Sequence, residues 1–209
     1  MLDLVLPREC GGCGAPSTTW CAACAAILTV HDDEPHVVTP RIDPGVPVFA
    51  LGRYAGARRQ AIVAVKEHGR RDLVAPLAQV LAVGIHHLIS WGILDTPVTV
   101  VPAPTRASAA RRRGGDPVRR IAAEATRDHP DIAVTQALRT RAFVRDSVGL
   151  TSADRERNLA GRIKLIRPVR GEVLLVDDIV TTGATARESV RILEVGGAKV
   201  TAVLTLAHA

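Results

Sequence analysis

The sequence predicts an α/β fold, a mostly parallel sheet flanked by helices, with a small four-cysteine module ahead of it. Three observations carry that prediction. Short runs rich in Val, Leu and Ile alternate with stretches whose apolar residues recur at helical spacing, the order of linked strand–helix–strand units. The run 173–176, Val-Leu-Leu-Val, holds no polar residue, as a strand covered on both faces requires. All four cysteines, Cys10, Cys13, Cys21 and Cys24, fall in two Cys-x-x-Cys pairs near the start.

The chain has 209 residues, 47% of them hydrophobic. That is enough for one sizeable core with an appendage, and too apolar for intrinsic disorder. Residues 1–45 are expected to form the cysteine module and a linker, and residues 46–209 the α/β domain. No apolar run is expected to span a bilayer. The opening residues 1–6 are interrupted by Asp3 and followed by Pro7 and Arg8, unlike a secretory signal. A soluble, cytoplasmic protein without membrane insertion is therefore expected. The net charge is +6, and lysine occurs only at Lys66, Lys164 and Lys199, so arginine carries nearly all the positive charge. Guanidinium forks suit phosphate and pyrophosphate. They suit nucleic acid equally, and a solvated surface accounts for many of them. Aromatic residues make up 2%, leaving few rings on which single-stranded bases could stack.

Each Cys-x-x-Cys pair can grip one metal ion from a tight turn, which Gly11, Gly12 and Gly14 permit. Two pairs supply the four thiolates of a closed tetrahedral zinc site, structural because no coordination position stays open. Two disulfides or a redox pair are the alternatives; disulfides require an oxidising compartment, which nothing at the start of the chain indicates. The Pro-rich stretch 29–47 reads as a linker. Its residues His31, Asp32, Asp33, Glu34 and His36 read as a solvated loop rather than a second metal site.

Residues 48–54 read as a strand, 58–68 as a helix stopped by Gly69, and 74–90 as a longer helix with Pro76 in its first turn. In that helix Leu77, Leu81, Ile85 and Leu88 recur on one face, while His86 and His87 belong to its surface end. A short strand, 98–101, runs into Pro102-Ala103-Pro104-Thr105 and the basic tract 106–113. This rigid turn beside dense positive charge is a candidate pyrophosphate-facing loop, with Ala103, Pro104 and Thr105 at its centre. Asp116-Pro117 reads as an N-cap and first position of a helix reaching about Arg127. Residues 132–138 read as a strand, and the Arg-rich interval 139–161 as a candidate lid. The helix 184–195 ends at Gly196-Gly197, and 200–206 reads as a last buried strand.

After the apolar run 173–176 come Asp177 and Asp178, then Ile179-Val180, then the small-residue turn Thr181, Thr182, Gly183, Ala184 and Thr185, which opens a helix. Ligands of doubly wound sheets sit outside the carboxyl ends of strands. Backbone N–H groups at a helix start attract a phosphate. Two carboxylates beside such a turn match a ligand that carries a vicinal diol and a phosphate, a ribose 5-phosphate.

These thirteen residues, 173–185, resemble the 5-phosphoribosyl-1-diphosphate (PRPP) signature of type I phosphoribosyltransferases. The whole pattern resembles the ComF family, named for bacterial competence proteins, which joins a four-cysteine zinc module to a type I phosphoribosyltransferase domain. Further matching pieces are Tyr54-x-Gly56 with Lys66 and Gly69, the Val101-Pro102-Ala103-Pro104 turn, Arg113-Gly114, and Arg155 with Asn158. Gly115-Asp116-Pro117 departs from the Phe-Asn-Gln-like run usual after Arg-Gly in that family. The resemblance implies phosphoribosyl transfer to an acceptor, with Mg²⁺ accompanying PRPP and a structural Zn²⁺. It implies that Asp177 and Asp178 fix the ribose diol and that Thr181, Thr182, Gly183, Ala184 and Thr185 hold its phosphate. Thr181 stands where relatives acting on 6-oxopurines carry an Asp, which points away from that substrate class. Residues 48–96 are expected to cover the site, in place of a C-terminal hood. A non-catalytic PRPP- or nucleotide-binding adaptor in DNA uptake, contacting DNA or DNA-processing proteins, is the alternative reading; a homodimer fits either.

Overall fold

A computed structural model describes residues 9–104, 115–140 and 162–209. A cysteine knuckle leads into a short helix, α1 (Ala22–Leu28), and a two-residue strand, β1 (His36–Val37). Then come β2 (Val48–Ala50), α2 (Gly56–Glu67), a single 3-10 turn at Arg71–Leu73 and α3 (Val74–Ser90). The middle of the chain gives β3 (Val98–Pro102), α4 (Pro117–Ala125), β4 (Ile132–Val134), β5 (Leu138–Thr140) and β6 (Ile163–Leu165). It closes with β7 (Gly171–Val180), α5 (Ala184–Val195) and β8 (Ala198–His208).

Among the described residues, six strands form one sheet in the order β1-β2-β8-β7-β3-β4. All neighbours pair in parallel except β1, which runs antiparallel to β2 at one edge. β5 and β6 form a separate antiparallel pair. The mixed α/β, mostly parallel architecture expected from the sequence is therefore present. From β3 the chain steps outward to β4, then returns to β7 on the other side of β3. That reversal opens a crevice at the carboxyl ends of β3 and β7, the general location of ligands in open α/β sheets.

Both sheet faces are covered. Leu174 and Val176 of β7 face a core built with α2, α3 and α4, including Ile62, Leu81 and Ile121. Val173 and Leu175 face the other way, onto α5 through Val190 and Leu193. This alternation is the period of two that a strand imposes. The knuckle joins the first core: Cys10, Cys24 and Leu28 are buried in it.

Several boundaries differ from the sequence reading. The strand expected over 48–54 stops at Ala50, with a single bridge from Arg53 to His208 beyond it. The strand expected over 132–138 is two strands in two sheets. The chain turns between them, where Ala137 donates its N–H to the Thr135 carbonyl. Asp116 caps α4 as expected, accepting from the N–H groups of Val118 at 3.0 Å and Arg119 at 3.3 Å. The expectation of no bilayer-length apolar stretch is corrected: the 20 residues Arg71–Ser90 are long and apolar enough by length and composition. Their apolar face is spent inside the fold, with Leu77, Leu81, Ile85 and Leu88 at 2% exposure or less. That is the position of a core helix. The Arg-rich tract 106–113 and residues 141–161 of the candidate lid, Arg155 and Asn158 among them, lie outside the described residues.

Candidate functional site

β7 does not stop at its apolar run. It pairs with β8 through Asp177 opposite Thr205, Ile179 opposite Ala207 and Val180 opposite His208. Asp177 and Asp178 therefore sit inside an extended strand, and their side chains leave opposite faces of the sheet.

Asp177 goes to the α5 side. It lines a cavity of about 130 Å³ together with Thr181, Thr182, Gly183, Ala184 and Thr185. Its Oδ1 accepts the Asp178 N–H at 2.8 Å. Burial pushes the Asp177 carboxyl well above the ordinary carboxylate range, and the Asp178 charge adds to the rise; the Asp178 N–H and the Lys66 ammonium pull against it.

Asp178 goes to the other side, where it is 5% exposed. Its neighbours there include Ile62 and Val65 of α2, Val118 and Ile121 of α4, and Leu206 of β8. One cation meets it. Lys66 Nζ, from α2, lies 3.1 Å from Oδ1 and 2.9 Å from Oδ2. Only the Oδ1 contact has hydrogen-bond geometry, and Oδ2 has no hydrogen-bond partner; the 2.9 Å approach is a charge contact without a directed bond. Burial lowers the Lys66 pKa, but Asp178 more than offsets this and the net shift is upward. Lys66 follows Ile62 by four residues, which places both on one helix face. That spacing is the sequence signal for its inward position.

The turn after β7 depends on Gly183, whose φ of +86° is left-handed. A Cβ there would lie 2.2 Å from the Ile42 carbonyl oxygen and 2.9 Å from Pro40 Cβ. Ile42 also donates its N–H to the Thr182 carbonyl at 2.8 Å. The stretch read as a linker thus packs directly on the turn 181–185. It is anchored upstream as well, where His36 and Val37 pair with Ala50 and Phe49. Residues 40–42, ahead of the span 48–96 expected to cover the site, contact the turn on this side. Thr182 Oγ1 accepts the Ala184 N–H at 3.4 Å, and the first turn of α5 offers N–H groups that lack helical partners.

Across the crevice, β3 ends beside β7. Ala103, 2% exposed, donates its N–H to the Val176 carbonyl at 2.8 Å. Pro104 follows, its carbonyl accepting from Thr140 Oγ1 at 3.4 Å. Ala103 therefore borders the strand that carries the two carboxylates, while Pro104 meets β5. Thr105 lies outside the described residues.

The four cysteines converge. Their Sγ atoms all lie within 4.8 Å of one another, and Cys13 Sγ is 3.6 Å from Cys21 Sγ. A tetrahedral site with zinc–sulfur bonds of about 2.3 Å has sulfur–sulfur edges of about 3.8 Å, so the donor set fits one such ion. All four are free thiols. Burial raises Cys10, but the N–H groups of Cys13, Cys21 and Gly12 outweigh it and hold that thiol at about 6. Burial and the neighbouring cysteines push Cys24 up. Gly12 allows the close turn, since a Cβ there would meet Cys24 Sγ at 2.6 Å. Among the described residues no other cluster of this kind occurs, and His31, Asp32, Asp33, Glu34 and His36 do not form one.

A larger cavity of about 490 Å³ lies between α1 and α3, bordered by Trp20, Leu28, Pro76 and Val80. Among the described residues its lining carries no charged side chain.

Neither a protein-family model nor a curated protein matches this sequence. Among solved structures, the chain is similar to UMP synthase from Leishmania donovani, with a TM-score of 0.41 and 14% identity. The likeness covers 89% of this chain and 31% of that one, so the chain spans about a third of that protein's length.

Proposed function

We propose that this chain binds PRPP with Mg²⁺ and transfers the phosphoribosyl group to an acceptor nucleophile. The observation that carries this reading is the single cavity shared by Asp177 and the turn 181–185, at the carboxyl end of β7. The 5-phosphate rests on the N–H groups and hydroxyls of Thr181, Thr182, Gly183, Ala184 and Thr185. The ribose diol donates to Asp177 from within the cavity, while Asp178 lies on the opposite face of β7 against Lys66. Pyrophosphate extends toward Ala103 and Pro104, the described part of the candidate loop that continues in sequence to Thr105.

The reaction breaks the bond between ribose C1 and a pyrophosphate oxygen and forms a bond from C1 to the acceptor. The electron pair of the broken bond leaves with pyrophosphate, and positive charge develops on the ring as in other glycosyl transfers. Fixed acceptors and dipoles around the ribose favour that charge distribution. Mg²⁺ bound together with PRPP would supply neutralisation of the charge on the leaving pyrophosphate. On this reading residues 46–209 carry the reaction site, while residues 1–45 contribute a structural zinc ion held by Cys10, Cys13, Cys21 and Cys24. Joining these two parts is the ComF arrangement.

Calorimetric titration with PRPP and Mg²⁺ tests the proposal. Wild type should bind and the double variant Asp177→Ala/Asp178→Ala should not; a wild-type protein that fails to bind overturns it. Release of pyrophosphate in the presence of a panel of nucleobases and amines separates transfer from binding alone.

A further inference from the structure

The two neighbouring carboxylates of the signature have different surroundings, and one side chain accounts for the difference. Asp177 faces the cradle. Asp178 faces the opposite core and is held there by Lys66 Nζ at 2.9 and 3.1 Å. We propose that Lys66 is a positioning residue for the sugar-binding carboxylate: its ammonium anchors Asp178 on the far face of β7 and thereby sets the direction and charge of Asp177 on the near face. This rests on the reading of the 181–185 cavity as a ribose 5-phosphate site.

Three observations support it. First, the strand geometry permits no other division. With β7 paired to β8 past both residues, the ladder sends the two side chains to opposite faces, and what links them is the peptide N–H between them. The Asp178 N–H that bonds Asp177 Oδ1 at 2.8 Å belongs to the anchored residue. Second, among the described residues the chamber around Asp178 is lined by no other charged side chain. α4 contributes Pro117, Val118 and Ile121, α3 contributes Leu77, and β8 contributes Leu206. Besides the two carboxylates, Tyr54 is the titratable group that acts on Lys66. Third, Lys66 acts on both acids. It lowers the Asp177 carboxyl pKa, against the rise caused by burial and by Asp178.

The sign of the effect follows. A protonated Asp177 donates where a diol needs an acceptor, so ligand affinity falls on the acid side of its titration. Removing the Lys66 charge removes a stabiliser of the carboxylate and moves that acid limb to higher pH. Removing the Asp178 charge removes a destabiliser and moves the limb to lower pH. A residue that merely fills space produces neither opposed shift.

The experiment titrates PRPP with Mg²⁺ into wild type, Lys66→Met, Lys66→Arg and Asp178→Asn by calorimetry from the acid to the alkaline side of neutrality. In parallel, carboxyl-labelled aspartate reports the Asp177 titration by carbon NMR in the ligand-free proteins. Lys66→Met should weaken binding about tenfold near the acid limb and recover affinity as pH rises. Lys66→Arg should restore the wild-type profile, and Asp178→Asn should shift the limb the other way. If Lys66→Met fails to fold, the Asp178→Asn shift and the Lys66→Arg profile still decide. An unchanged Asp177 titration in both charge-removing variants overturns the proposal. So does a uniform loss of affinity at every pH. If wild type does not bind PRPP, the ribose 5-phosphate reading fails, while the NMR titration still judges the coupling of Lys66 to Asp177.

Discussion

Ile42 and Gly183 meet backbone to backbone. A Cβ on Gly183 would lie 2.2 Å from the Ile42 carbonyl oxygen, and the Ile42 N–H already bonds the Thr182 carbonyl at 2.8 Å. The turn that opens α5 and the stretch ahead of β2 form one surface, although about 140 residues of chain separate them.

Gly183→Ala combines a left-handed φ with that clash. Strain of this kind costs about 1–3 kcal/mol, and relief requires residues 40–42 to move off the turn. The variant should denature at lower temperature and lose PRPP affinity, the two losses read by scanning calorimetry and titration calorimetry. Unchanged binding would mean that the close contact has no bearing on the cradle.

The cysteine knuckle is part of the first core, so its metal should stabilise the whole chain. If free zinc is about 1,000-fold above the dissociation constant, linkage is worth about 4 kcal/mol. For a chain of this size each kcal/mol moves the midpoint by about 2–4 °C. Removing metal with a chelator under reducing conditions, or substituting Cys24→Ser, should lower Tm on that scale. Metal analysis of the freshly reduced wild type should find one equivalent of zinc; a metal-free, equally stable protein would contradict the fit of the four sulfurs.

Leu81 of α3 is fully buried. Leu81→Ala should cost about 2–5 kcal/mol through lost burial and the cavity left behind. Denaturant unfolding measures it. A loss below about 0.5 kcal/mol, the range of surface substitutions, would be incompatible with α3 as a core helix.

The sequence made the main layout readable because its signals are local. The Val-Leu runs, the Asp116-Pro117 helix start, the face of Leu77, Leu81, Ile85 and Leu88, and the paired cysteines each depend on neighbours a few residues away. What escaped depends on pairing across the chain. Residues 173–176 look complete as a strand, and nothing within them announces that β8 continues the pairing to Val180. That extension puts Asp177 and Asp178 on opposite faces. Likewise Pro35, Pro40 and Pro44 disguise a stretch whose hydrogen bonds go to β2 and to the turn after β7. Ile163 and Leu165 are too few to stand out as β6 until Leu138 and Thr140 are placed opposite them.

β8 has a consequence for how the molecule assembles. It lies between β2 and β7, so Val48 finds its neighbour Val203 only across most of the chain. Such distant pairing slows folding. β7, β3 and β4 can pair with one another early, whereas β1 and β2 have no route into the sheet until β8 is laid down. The contact between Ile42 and Gly183 is then among the last to form, and the cradle takes its final shape only when both halves of the sheet have been zipped together.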